Sequence, residues 1–81
     1  MSKTAEIQAF LNKEVAMILR LKESEVNENA SLDDLGINSM AFVELLIAIE
    51  NKFGVQLIQA GITKADLSSL KTFALRIEQE L

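Results

Sequence analysis

One hydroxyl in this chain stands in a context that suggests covalent chemistry. Ser39 falls within Leu35-Gly36-Ile37-Asn38-Ser39-Met40-Ala41-Phe42-Val43-Glu44-Leu45. Gly36 can take a left-handed backbone conformation at little cost, Asn38 and Ser39 both favour helix starts, and apolar residues then recur at helical spacing. The run predicts a tight turn that delivers Ser39 to the first turn of an amphipathic helix. Unpaired backbone N–H groups and the positive end of the helix dipole favour an anion there, so a phosphate esterified to the serine would be held by both. A serine at a helix start is most often only a cap, and position alone leaves both readings open.

The rest of the residue inventory narrows the chemistry. The 81 residues include no cysteine and no histidine, which removes disulfides, thiol nucleophiles, most zinc sites and histidine acid–base schemes. No metal site is expected. No acid and base can be paired around a pocket, so no catalytic residue is assigned and an enzyme is not expected. With 8 basic and 12 acidic side chains the net charge is −4, and the basic residues are scattered, so neither nucleic acid nor an anionic membrane is an expected partner. No apolar run approaches the roughly 20 residues that span a bilayer. The opening Met-Ser-Lys-Thr-Ala-Glu lacks the apolar core of a signal peptide, and a cytoplasmic location is the expectation. The length is that of one domain, residues 1–81, with modest core stability.

The elements that would position Ser39 are helical. Proline is absent and apolar residues recur every three or four positions without sustained alternation, which predicts an all-α fold. From Thr4 to about Leu21, Ile7, Phe10, Leu11, Val15 and Ile18 form the stripe of a long first helix, with Glu6, Asn12, Lys13 and Arg20 on its other face. Between Lys22 and Asn38 the period fails. A connection this long in so small a domain suggests a functional loop, with Val26, Leu32, Leu35 and Ile37 pinning it to the core. Ser31-Leu32-Asp33-Asp34 fits a capping box for a short helical turn that Gly36 would stop.

The second main helix is expected from Ser39 to about Phe53, with Gly54 as its stop. At 100° per residue, Phe42, Leu45, Leu46, Ile49 and Phe53 cluster as a core face. Met40, Val43 and Ile47 form a second apolar strip on the opposite half, flanked by Glu44, Glu50 and Asn51. A domain of this length has too little mass to cover both sides, and the second strip reads as a partner-binding face with an acidic border. Gly54 to Gly61 is expected to be irregular, with Val55, Leu57 and Ile58 turned inward. Thr63-Lys64-Ala65-Asp66 is another capping-box pattern, predicting a short third helix that ends near Leu67. Ser68 or Ser69 would cap a last helix with the stripe Leu70, Phe73, Ala74, Ile77 and Leu81. The sum is a small four-helix bundle of three main helices and one short one.

Leu35-Gly36-Ile37-Asn38-Ser39-Met40, followed by Val43-Glu44-Leu45 and by Ile49-Glu50-Asn51-Lys52-Phe53-Gly54-Val55, resembles the attachment signature and second helix of the acyl and peptidyl carrier proteins. The first helix, the long loop with Ser31-Leu32-Asp33-Asp34-Leu35, the short third helix and the final Leu70-Lys71-Thr72-Phe73 helix follow in that family's order, so the resemblance covers nearly the whole chain. It implies a carrier, acting as a monomer, whose Ser39, flanked by Asn38, accepts 4′-phosphopantetheine from coenzyme A through a separate metal-dependent phosphopantetheinyl transferase. A carrier of thioesters needs a thiol, and a chain without cysteine must import it. The resemblance further implies that Met40, Val43, Glu44, Ile47 and Glu50 dock partners, among them an acyl- or aminoacyl-loading enzyme and a ketosynthase or other acyl-processing enzymes.

Three features depart from the family's common pattern. The residue before the modified serine is commonly Asp, and here it is Asn38, which keeps an oxygen acceptor and loses the charge. The net charge of −4 is far less acidic than in typical bacterial fatty-acid carriers. Phe42 occupies a core-side position near the helix start where many of those carriers have a smaller residue, so it is expected to fill the space that would shelter a long acyl chain. The last two features point to a dedicated polyketide or related thiotemplate pathway. A housekeeping fatty-acid carrier and a D-alanyl or other aminoacyl carrier are the rivals within the class. Outside it, the rival is a docking adaptor that is never modified, with Asn38 as the sign of lost attachment.

Overall fold

The computed structural model describes residues 3–81. Their regular structure is helical: α1 (Lys3–Leu19), α2 (Leu32–Leu35), α3 (Ser39–Phe53) and α4 (Leu70–Gln79), with 3₁₀ turns at Glu23–Glu25 and Lys64–Leu67 and no strand among the described residues. The all-α fold is as expected. The short element near residue 64 is a 3₁₀ turn, and α2 is the helical turn foreseen between Ser31 and Gly36. Ile7, Leu11 and Val15 of α1, Leu45 and Ile49 of α3, and Leu70, Phe73 and Ile77 of α4 are fully enclosed in one cluster. Half-buried Phe10 and Phe53 flank it edge to face, ring centroids 5.2 Å apart, a favoured aromatic geometry. No helix among the described residues is long and apolar enough to cross a membrane.

α1 stops at Leu19, two residues before the expected end, because the backbone turns left-handed at Arg20 (φ 59°) and Leu21 N–H returns to the Ala16 carbonyl at 2.8 Å. That is a helix-terminating bond of the kind glycine usually makes possible. The loop that follows is tied down at the expected residues: Val26, Leu32 and Ile37 are buried and Leu35 packs against the core. Two further ties were not foreseen. Asn12 of α1 donates through Nδ2 to Glu28 Oε2 at 2.7 Å and accepts from Gln8 Nε2 at 3.0 Å. The Glu28 and Ala30 carbonyls accept from Lys71 and Leu70 N–H at 2.9 and 3.1 Å, satisfying orphan donors in the first turn of α4. Ser69 caps that helix, its hydroxyl accepting from Thr72 N–H at 3.0 Å.

The segment between α3 and α4 is organised by Arg76. Its guanidinium donates to the Ala60 carbonyl at 2.7 Å, lies 3.4 Å from Asp66 Oδ2 and pairs with Glu80 one turn on. Asp66 in turn accepts from Thr63 N–H at 2.9 Å. The Thr63 N–H bond, supported by Arg76, holds the Asp66 carboxyl below the usual aspartate range, and Glu80 with Asp66 holds the guanidinium above its own.

Two inward positions were misassigned. Ile58 is 77 % exposed because Val55 and Leu57 take the buried sites. The chain folds there into a tight turn, the Ala60 N–H returning to the Gln56 and Leu57 carbonyls at 3.2 and 3.1 Å, and Gln56 and Ile58 face out. Leu81 is also exposed. α4 ends at Gln79, so the helical register no longer carries Leu81 to the core.

The two sides of α3 differ in what truncation costs. Ile49→Ala removes a fully enclosed side chain and is expected to cost about 2–5 kcal/mol, a large part of the stability of a small domain. Ile47→Ala, on the exposed strip, is expected to change stability by no more than about 0.5 kcal/mol. Urea denaturation of both variants checks the assignment, and equal losses would contradict it.

Candidate functional site

Three consecutive residues present the serine. Gly36 ends α2 at φ 95°, a left-handed conformation, with its N–H returning to the Asp33 carbonyl at 3.0 Å. The need for glycine is conformational, since an added Cβ would lie 4.0 Å from Leu19 Cδ2, an ordinary van der Waals contact. Ile37 is buried and bonds through its N–H to the Leu32 carbonyl at 3.0 Å, which locks the chain to the core just before α3. Asn38 is the cap: its Oδ1 accepts from Ala41 N–H at 2.9 Å, and its carbonyl accepts from Phe42 N–H at 2.8 Å. Ser39 is therefore the first helical residue, exposed, and not consumed as the cap.

The electrostatics favour an anion on that hydroxyl. The first turn of α3 holds no acidic residue, so the positive end of its dipole is not offset by a carboxylate of its own. A cleft of about 360 Å³ opens beside Ser39. Its apolar lining is Leu32, Ile37, Phe42 and Leu67, and its charged groups are Asp33 and Lys64. The half-buried Phe42 ring, part of this lining, packs at a tilt on enclosed Phe73, centroids 6.3 Å apart. Lys64 and Leu67 come from a different element than the serine. Nothing in the linear spacing placed them here; Thr63-Lys64-Ala65-Asp66 announced a turn and not its neighbour.

The strip predicted for partners lies outside, with Met40 at 77 %, Val43 at 51 % and Ile47 at 54 % exposure and with Glu44 and Glu50 exposed beside it. Among the described residues no three His, Cys, Asp or Glu side chains come together as a metal-binding group.

The site is thus an exposed hydroxyl on a capped helix, with an acid-free first turn and an exposed apolar strip running from it. Residues 9–74 match the family described as phosphopantetheine attachment site. The acyl carrier protein of Zymomonas mobilis subsp. mobilis is 42 % identical over 65 residues, which span 79 % of this chain and 80 % of that protein. The chain belongs to the acyl carrier protein family, whose members are phosphopantetheine-bearing carriers and not catalysts, and which work with phosphopantetheinyl transferases and acyl-processing enzymes. The donor set fits that group: an accessible hydroxyl for the phosphodiester, free helix N–H groups beside it and a partly apolar cleft alongside.

Asn38 now has a measurable role. Asn38→Ala loses the cap and is expected to destabilise the domain by about 0.5–2 kcal/mol. Asn38→Asp keeps the cap and adds a favourable charge at the positive end of α3, for a gain of about 0.3–1 kcal/mol at low ionic strength. Thermal denaturation at neutral pH, repeated in high salt to remove the charge effect, checks both values.

Proposed function

We propose that the 81 residues form one carrier domain in which Ser39 bears 4′-phosphopantetheine. The single observation that carries this reading is an exposed hydroxyl at the first position of α3, with Asn38 and not Ser39 closing the cap. The attached group supplies the thiol on which acyl or aminoacyl cargo is held as a thioester. The chain's own part is positional. Ile37 and Asn38 fix the root of the arm, the α3 N-terminus stabilises the phosphodiester charge, and tethering keeps the cargo at high effective concentration for each enzyme in turn. Met40, Val43, Glu44, Ile47 and Glu50 are the docking face, where exposed carboxylates steer basic surfaces and give fast, weak, salt-sensitive association. The partners are a phosphopantetheinyl transferase, a loading enzyme and a ketosynthase or other acyl-processing enzymes, met by a cytoplasmic monomer.

Two observations support short or polar cargo of a dedicated polyketide or related thiotemplate pathway over a long fatty acyl chain. The net charge is only −4, and Phe42, which lines the cleft beside Ser39, packs on Phe73 of the core and occupies space there.

Incubation with coenzyme A, Mg²⁺ and a broad-specificity transferase, followed by intact mass measurement, is expected to show a gain of one phosphopantetheine on the wild type and none on Ser39→Ala. An unmodified wild type would favour a docking adaptor instead. For the cargo, amide spectra of the octanoyl and unacylated holo forms are expected to differ only around residues 31–42 and 64–68. Large shifts at Leu45, Ile49 and Ile77 would favour a housekeeping fatty-acid role.

A further inference from the structure

The cleft beside Ser39 is polarised by two charges from separate elements. Asp33 reaches it from α2 and Lys64 from the 3₁₀ turn Lys64–Leu67. The two do not pair with each other. The ion pairs among the described residues are those of Arg76 with Asp66 and Glu80, and the Lys64 ammonium has no hydrogen-bond partner among them either. Lys64 is thus an uncompensated cation lining the attachment cleft.

The serine side of the cleft also has donors to spare. Asn38 satisfies the Ala41 and Phe42 N–H groups, through its Oδ1 and its carbonyl. The Ser39 and Met40 N–H groups precede the first intrahelical bond and stay open beside the hydroxyl. A phosphodiester on Ser39 carries one negative charge at neutral pH. The open N–H groups and the ammonium attract it, while the Asp33 carboxylate disfavours the α2 side.

Beyond its phosphate, the pantetheine arm continues into a carbon bearing two methyl groups, then a hydroxyl and an amide. The turn offers matching groups in the same order. Leu67 lies one 3₁₀ turn on from Lys64 and Ser68 follows it, all three lining the cleft together with the half-buried Phe42 ring. The cleft volume of about 360 Å³ falls within the range of about 300–1,000 Å³ that holds small ligands.

We propose that Lys64 pairs with the phosphodiester of the Ser39 arm and that the methyl-bearing segment of the arm lies on Leu67 and Phe42, so that the root of the arm is held in the cleft. The inference rests on the carrier reading above and makes Lys64 a positioning residue. Holding the root shortens the freely moving part of the arm. Lys64 and Ser39 are both exposed, so salt weakens the pair and the arm stays releasable.

NMR of the holo protein, its arm labelled from isotope-enriched coenzyme A, tests this once intact mass has shown one phosphopantetheine per chain. At low salt the wild type is expected to show nuclear Overhauser contacts from the two arm methyls to Leu67 and Phe42. Lys64→Gln is expected to weaken them at least about twofold, as is high salt in the wild type, while Lys64→Arg preserves them. Equal thermal denaturation of wild type and Lys64→Gln shows that the cleft wall is intact and that the lost contacts report the charge. The proposal is overturned if a modified wild type shows no methyl contacts, or if Lys64→Gln leaves them at full strength. A wild type that gains no mass fails the carrier reading and takes the proposal with it, whereas mass gain without contacts overturns the proposal alone.

Discussion

Leu45 and Ile49 are enclosed with the α1 and α4 side chains of the core, and that burial commits one side of α3 to the interior. Because α3 is apolar on two sides, the same contact leaves Met40, Val43 and Ile47 outside. A chain of this length has too little mass to cover both faces. The presentation of Ser39 follows from that geometry, since the helix that is gripped on one side carries the serine and the exposed strip together on the other.

The long connections before and after α3 are held by groups with several partners each. Asn12 and Glu28 join α1 to the first loop, whose carbonyls then complete the first turn of α4. Arg76 collects the Ala60 carbonyl, Asp66 and Glu80, and so secures the turn that carries Lys64 and Leu67 to the cleft beside the serine. These are surface interactions weakened by solvent, and their role is to fix geometry more than to supply stability. Irregular backbone beside an attachment point has to be positioned by such specific bonds, because no helical ladder does it.

Much of the site was legible beforehand, for local reasons. The αL turn at Gly36, the cap at Asn38 and the stop at Gly54 are short-range preferences of single residues, and the two sides of α3 follow from a period that does not depend on the rest of the fold. Where non-local competition decides, the same reasoning failed. Val55, Leu57 and Ile58 all qualified for burial by type, yet the chain turns at Leu57 to Ala60, burying two of them and leaving Ile58 outside.

By itself the sequence determined the helical class, the anchored loop, the capped helix start at Asn38 and Ser39 and the absence of any thiol of its own, because each depends on residue type or on a period of a few residues. Tertiary structure alone decided what stands beside that serine. Lys64 and Leu67 reach the cleft beside Ser39 from a segment beyond the end of α3, and contact between separate segments is set by how the helices pack and not by any spacing along them.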